Sequence, residues 1–402
     1  MLKHIPPEQA IDILMREPCH PCPEQIPLTE ALDRVLAENI YARTDVPPFN
    51  KSPFDGYTFR AADVPGTLRV VGTLSAGIQG IRDIGPGEAL KIFTGAPVPA
   101  SADAVIRFED VAESERGIEI SKSMTPGTNV ILAGEDIRSG ELLIPSGTRL
   151  LPAHLGMLAG QGIAQVNAYR KPKAVLIPTG SELSEPGESC PEYGIYNSSS
   201  YVISAYLRRM GLRVCRYPIV SDEQDAVRSA VEEALATDAE IVFTTGGASV
   251  GDFDFAMRTA KAIGAETLFW KIRMKPGGAL LVSRVGDRLL VGLSGNPAAA
   301  LMSILVVLRP WLAHVIGAGD RASEILLPLK NDMPKTSSAT RLLRGHLDFT
   351  DGVVSFAEHP GRGNGNIASF ADCELIGIIP GNAGPLRKGD LIRALRLPAE
   401  LC

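Results

Sequence analysis

Between residues 174 and 264, short apolar runs rich in β-branched residues alternate with stretches whose apolar residues recur at helical spacing. That alternation restricts the fold more than any other feature of the chain. Residues 174–178, 213–220 and 240–245 have the pattern of buried strands. Residues 201–210, behind the capping residue Asn197 and closed by Gly211, have that of an amphipathic helix, as do 222–236 and the run from 254 to Gly264. Strands joined by helices of this length form a mostly parallel sheet with right-handed crossovers. The loops after its strands then gather along one edge, where backbone N–H groups and helix starts can face an anion.

Those loops carry polar residues. Thr179-Gly180-Ser181-Glu182-Leu183 follows the first strand, Asp222 the second, and a run from Thr244 through Gly246, Gly247, Ser249, Asp252 and Asp254 the third. Gly246 and Gly247 let the backbone come close to a ligand, Ser249 adds a hydroxyl, and the two aspartates add carboxylates. Phosphate alone would be repelled by such acids: at an effective dielectric near 20, like charges about 4 Å apart repel by roughly 4 kcal/mol. Acids beside an anion therefore imply a cation between them, and Mg²⁺ suits carboxylates, water and substrate phosphates. Lys271 and Lys275, in Trp-Lys-Ile-Arg-Met-Lys-Pro-Gly on the next expected strand, supply fixed positive charge. Residues 279–283 and 288–293 fit antiparallel strands. Leu293-Ser294-Gly295-Asn296-Pro297 then turns into an apolar helix whose first N–H groups are available to an anion. Each motif alone also fits an ordinary strand, turn and helix with capping acids, and Asp222 alone fits an N-cap. Capping does not explain why acids and glycines recur after successive strands.

The flanking regions differ. Residues 8–17 have helical spacing, ended by Pro18. Cys19-His20-Pro21-Cys22 could contribute to a zinc site, but no second pair follows at finger-like spacing, and a free-thiol loop is the simpler expectation. Residues 28–36 suggest a second short helix, 142–150 a hairpin through Pro-Ser-Gly, and 152–160 a further helix. From 59 to 137, short alternating runs divided by Gly and Pro indicate a small β-domain, and similar runs from 325 onward indicate another. Asp55, Thr94 and Asp136 fall on loops at or within the first of these. In isolation, turns account for all three.

The 402 residues imply two to four compact units. A net charge of −6 argues against a general nucleic-acid binder. The amino terminus lacks the apolar core of a signal peptide. The apolar run 298–308 is too short to span a bilayer and is expected to end at Arg309-Pro310. Six scattered cysteines suggest reduced thiols and a cytoplasmic setting. No P-loop or HxxxH spacing occurs.

Taken together, Gly-Gly-Ala-Ser-Val-Gly-Asp-Phe-Asp, Trp-Lys-Ile-Arg-Met-Lys-Pro-Gly and Gly-Leu-Ser-Gly-Asn-Pro resemble the molybdopterin molybdenumtransferase family, to which the C-terminal domain of gephyrin also belongs. Pro-Pro-Phe-Asn-Lys-Ser-Pro-Phe-Asp-Gly-Tyr, Phe93-Thr94-Gly-Ala-Pro-Val-Pro and Ala133-Gly-Glu-Asp136-Ile extend the match in the family's order. The resemblance implies a multidomain α/β protein. A split unit of residues 1–45 and 141–172 would enclose an inserted β-domain of 46–140. A molybdopterin-binding α/β domain of 173–320 would follow, then a β-barrel-like domain of 321–402. It implies insertion of molybdate into adenylylated molybdopterin with release of AMP. Catalytic roles fall to Asp55, Asp136, Glu182, Asp254, Lys271 and Lys275. Ligand contacts fall to Thr94, Gly180, Asp222, Gly246, Gly247, Ser249, Gly295, Asn296, Pro297 and Ser369. Mg²⁺ would be held by acids from the set Asp55, Asp136, Glu182, Asp222 and Asp254.

The family's homodimer would bring the two acid sets together from opposite subunits, with transient contact to an adenylyltransferase and to apo-molybdoenzymes, and no nucleic-acid or membrane partner. Arg341, Arg344 and Arg362 are rim candidates, although solvated charge explains each as well. Gly278 stands where a lysine is customary and Ser294 where a proline is frequent. Three rivals stay open: an adenylylating enzyme, a non-catalytic scaffold, and a general Mg²⁺-dependent nucleotide phosphohydrolase.

Overall fold

The computed structural model describes residues 2–18, 21–77, 80, 82–246, 255–318, 324–359 and 367–397. Its largest sheet has seven strands in the order Leu2–Ile5, Glu266–Ile272, Leu280–Val285, Arg288–Leu293, Ile241–Thr245, Lys173–Pro178, Arg213–Arg216. Only Leu280–Val285 runs against the rest, pairing antiparallel with both neighbours. Lys173–Pro178 and Ile241–Thr245 are buried along almost their whole length, which is why they are continuously apolar rather than alternating. Helices Gln224–Ala236 and Phe255–Ala262 cover one face, with Val231, Ala234, Met257 and Ala260 packed on Val175, Val242 and Leu290. Ser198–Arg209, Pro7–Leu14 and a long apolar helix cover the other.

That apolar helix runs unbroken from Pro297 to Val315, nineteen residues, rather than stopping at Arg309-Pro310. Residues Ser303–Leu308 form a π turn in which the Arg309 N–H donates to the Ile304 carbonyl. Pro310 has no N–H to give and would crowd a regular turn, and the wide turn before it lets the helix pass. By length and composition the helix could cross a membrane, but Ile304, Leu305, Val307 and Leu308 sit in the core between the large sheet and the C-terminal sheet. Truncating one such leucine to alanine costs about 2–5 kcal/mol.

Residues 2–14 depart from the expected split unit. Leu2–Ile5 adds a parallel edge strand to the large sheet, and Ile5, Ala10 and Leu14 join the main core. The remainder of the split unit packs around Ile26, Leu36, Ile144, Leu150, Leu158 and Val166. The helix expected over 28–36 shrinks to the 3-10 turn Leu28–Glu30, because Asp33 turns left-handed (φ 61°). Asp33 and Leu36 then give their N–H groups to Leu150 and Thr148. The hairpin expected over 142–150 is likewise absent: Leu142–Ile144 pairs with Ile40–Tyr41, and Arg149 bridges Val35. Helix Pro152–Gly160 forms where the spacing placed it.

The β-domain is a six-stranded sheet in the order Ala104–Arg107, Gly56–Phe59, Glu88–Ile92, Gly66–Leu74, Gly117–Ile120, Ala112–Ser114, with its own two cores. In the C-terminal region Thr340–Asp348 pairs with Ser355–Glu358 and Leu375–Ile379. Leu391–Arg396 and Glu324–Pro328 follow, and Leu329 bridges Phe356 to close the circuit into a barrel-like sheet. Met274–Lys275 adds to this sheet beside Thr340 and Arg341, so the segment after Ile272 joins the two domains.

Candidate active site

The carboxyl ends of three adjacent parallel strands meet at one place. Thr179 Oγ1 donates to the Thr245 carbonyl at 2.8 Å, and the Gly246 N–H donates to the Leu293 carbonyl at 3.2 Å. Gly246 is left-handed (φ 92°), and a Cβ there would lie 2.7 Å from both the carbonyl oxygen and Oγ1 of Thr179. A Cβ on Gly295 would lie 3.5 Å from the Gly246 Cα. Gly246 thus touches both the loop at 180 and the loop at 295, and glycine is required at the junction because two backbones pass within side-chain distance.

Asp222 belongs to this edge through a reciprocal clamp. Its N–H donates to Ser181 Oγ at 3.1 Å and its Oδ2 accepts from the Ser181 N–H at 3.4 Å. It caps no helix, since Gln224–Ala236 begins behind Glu223. Glu182, on the same loop, is exposed.

At the third loop, Asn296 Oδ1 accepts from the Ala299 N–H at 3.2 Å, and the Asn296 N–H donates to Ser294 Oγ at 3.2 Å. Two donors expected to be open to an anion are therefore engaged within the loop, one of them by the serine that replaces the frequent proline. Ser199 Oγ donates to the Gly295 carbonyl at 3.0 Å, fixing the loop to helix Ser198–Arg209. That helix has the Asn197 cap expected from the sequence, with Asn197 Oδ1 accepting from the Ser200 N–H at 3.2 Å.

Lys271 is half-buried and left-handed (φ 64°), whereas Lys275 is exposed, opposite Arg341 in register and just before the cis Lys275-Pro276 peptide. Gly278 has no room for the customary lysine: a Cβ would lie 2.7 Å from the Met274 carbonyl oxygen and 2.8 Å from that of Ile272. Ser369 is buried, 2% exposed, on Ile367–Phe370 against the start of the apolar helix. Burial pulls the Arg344 guanidinium down from its usual range, and one nitrogen of Arg341, Nη2, is buried without a hydrogen-bond partner. Gly247, Ser249, Asp252, Asp254, Arg362, Cys19 and His20 lie outside the described residues.

The second cluster sits at one end of the β-domain sheet. Asp55 Oδ1 accepts from both the N–H and Oγ1 of Thr94, each at 2.8 Å, and these bonds, the backbone one first, hold its carboxyl below the usual carboxylate range. The loop of Asp136 is tied to the same strip of chain. The Asp136 N–H donates to the Val46 carbonyl, and the Ala133 N–H donates to Asn50 Oδ1. Lys51 bridges Ile131 on one side and Pro97 on the other. Nothing in the sequence pattern marks two cations that flank the start of strand Gly56–Phe59. Arg107 stacks 4.7 Å from the Phe54 ring, and Lys91 lies 4.9 Å from the Phe108 ring, with Arg107 opposite Gly56 in register.

Asp55, Asp136, Glu182 and Asp222 form no ion pair, and no group of three His, Cys, Asp or Glu close enough to hold a metal occurs among the described residues. Asp55 directly precedes strand Gly56–Phe59 of the β-domain sheet, whereas Glu182 and Asp222 lie on loops of the seven-stranded sheet.

Residues 5–162 match the family of MoeA N-terminal regions (domain I and II), and residues 175–314 match the family described as probable molybdopterin binding domain. The chain is 32% identical over 396 residues to a molybdopterin molybdenumtransferase of Staphylococcus aureus (strain COL), covering 96% of this chain and 94% of that protein. One from Staphylococcus epidermidis is 32% identical over 393 residues, with the same coverage. Among solved structures, a molybdopterin biosynthesis MoeA protein from Pyrococcus horikoshii superposes with a TM-score of 0.83 at 28% identity, covering 99% of this chain and all of that one. With this agreement over nearly its whole length, the chain belongs to the molybdopterin molybdenumtransferase family, enzymes of molybdenum cofactor biosynthesis.

Proposed function

We propose that the enzyme inserts molybdate into adenylylated molybdopterin and releases AMP with Mg²⁺, in a cleft completed by a second copy of the chain. The observation that carries this reading is the contact of Gly246 with the loops at both Gly180 and Gly295 at the carboxyl edge of the sheet, with Asp222 clamped to Ser181. Close backbone approach and oriented amides suit a phosphoanhydride. Lys271 and Lys275, on the segment that leads from this sheet into the C-terminal one, offer charge to molybdate, a tetrahedral dianion. The metal goes to the dithiolene sulfurs of the substrate, so no cysteine nucleophile is needed.

The described donors Asp55, Asp136, Glu182 and Asp222 fit Mg²⁺: exposed or half-buried carboxylates, none of them in an ion pair among the described residues. Asp55, Asp136, Glu182 and Asp222 would hold it together with Asp254, and there it would polarise the phosphoryl group and stabilise the leaving phosphate. Thr94 fixes one oxygen of the Asp55 carboxylate. Since Asp55 and Asp136 lie on loops at the β-domain and Glu182 and Asp222 on loops of the seven-stranded sheet, a homodimer that presents one subunit's β-domain to the other's α/β edge would complete the set. Cys22, Cys190, Cys215 and Cys373 form no disulfide among the described residues, which fits a reducing, cytoplasmic setting, where an adenylyltransferase would deliver substrate and apo-molybdoenzymes would collect product.

Incubation with adenylylated molybdopterin, Mg²⁺ and molybdate or tungstate, following AMP and metal-loaded cofactor together, tests the reading. Asp254→Asn and Lys275→Ala should stay folded and lose turnover. AMP released at the same rate without either oxyanion would favour the phosphohydrolase instead.

A further inference from the structure

Lys271 is unusual among the described non-glycine residues with positive φ, which otherwise are His4, Asp33, Asn129 and Asn382. Short polar side chains tolerate the left-handed region through local hydrogen bonds, and lysine has no such compensation. In a regular strand, residues 270 and 271 point to opposite faces. The left-handed turn at Lys271 breaks that alternation and brings its Nζ to 4.3 Å from the centroid of the Trp270 ring. A second ammonium reaches the same ring. Lys3 lies opposite Trp270 in the parallel pairing of Leu2–Ile5 with Glu266–Ile272, and its Nζ is 4.7 Å from the centroid. Among the described residues neither lysine has a carboxylate partner, and Trp270 Nε1 is buried without a hydrogen-bond partner.

Two like charges drawn to one aromatic ring, with no counter-charge among the described residues, are arranged for an anion from solution. We infer that Lys3 and Lys271 form a paired ammonium site for a tetrahedral oxyanion, and that Trp270 is the positioning residue that holds both. The edge strand Leu2–Ile5 then has a function beyond widening the sheet: it delivers Lys3 to the carboxyl end of Glu266–Ile272. The inference rests on the reading of Lys271 as an oxyanion contact and adds Lys3 and Trp270 to it.

The chain has two tryptophans, and Trp311, 4% exposed, is sealed in the core, so a change in indole emission on anion binding reports on Trp270. Molybdate titrated into the full-length protein should shift that emission saturably, and Trp270→Leu should abolish the shift. Lys3→Gln should weaken molybdate binding, measured independently by equilibrium dialysis, by about fivefold. Trp270→Leu should weaken it by about threefold, with Trp270→Phe restoring most of the affinity. In turnover these losses should fall on the KM for molybdate and leave kcat nearly unchanged. If Lys271→Gln loses binding while Lys3→Gln and Trp270→Leu bind as tightly as the parent, the paired site is wrong and the Lys271 contact stands. If the parent protein binds no molybdate in dialysis, both fall.

Discussion

Replacing Gly246 by alanine should cost about 2–5 kcal/mol, and the structure separates that figure into two parts. An L-residue in the left-handed region loses about 1–2 kcal/mol. The new methyl must also push back Thr179, whose carbonyl oxygen and Oγ1 would both lie 2.7 Å away, and overpacking of that kind costs about 1–3 kcal/mol. Gly264, just after helix Phe255–Ala262 in the same domain, is also left-handed (φ 70°) with nothing within 4 Å of its Cβ position, so Gly264→Ala should show the first part alone. Urea unfolding of both variants, compared at equal slope, isolates the steric part as the difference between them. Because Thr179 leads into Gly180 and the Ser181–Asp222 clamp, turnover should fall in Gly246→Ala and persist in Gly264→Ala. Equal destabilisation of the two variants, with equal activity, would refute the close contact of the three loops.

Thr94→Val removes one of the two bonds to Asp55 Oδ1 and keeps the backbone one, so the Asp55 carboxyl should titrate higher yet stay below its ordinary value. Since the folded-state pKa is depressed, the associated stability is present above the ordinary carboxylate range and lost as pH falls through the folded value; carbon NMR of the carboxyl follows it, and an unchanged titration would contradict the assignment. Gly278→Lys, which restores the customary residue, should destabilise by about 1–3 kcal/mol rather than tighten oxyanion binding, because the Met274 and Ile272 carbonyls occupy its Cβ space. Tighter molybdate binding at unchanged stability in that variant would show that the segment relaxes freely.

Much of this arrangement is written in local pattern. Lys173–Pro178 and Ile241–Thr245 are apolar because both faces are covered, and the Asn197 cap and helix Pro152–Gly160 follow from single residues at element ends. Elements held by distant partners are not written locally. Leu2–Ile5 buries only Ile5 and exists through backbone pairing with Glu266–Ile272. Residues 28–36 look helical, but backbone groups of 148–150 compete successfully for their hydrogen bonds. Pro310 signals a stop that the π turn ahead of it cancels. At the site, the motifs identify Asp55, Thr94, Asp222 and Gly246 by type. That Thr94 clamps Asp55 and that Ser181 clamps Asp222 depend on loops 39 and 41 residues apart in the chain.

The account depends on carboxylates of one subunit's β-domain meeting the lysines and glycine loops of another's α/β edge. Mixing Asp55→Asn with Lys275→Ala, each inactive alone, tests it most directly. After full subunit exchange, half of the dimers are mixed and each of these holds one intact site, so about a quarter of wild-type turnover should return. No recovered activity, with mixed dimers verified by mass spectrometry, would contradict a site shared between subunits.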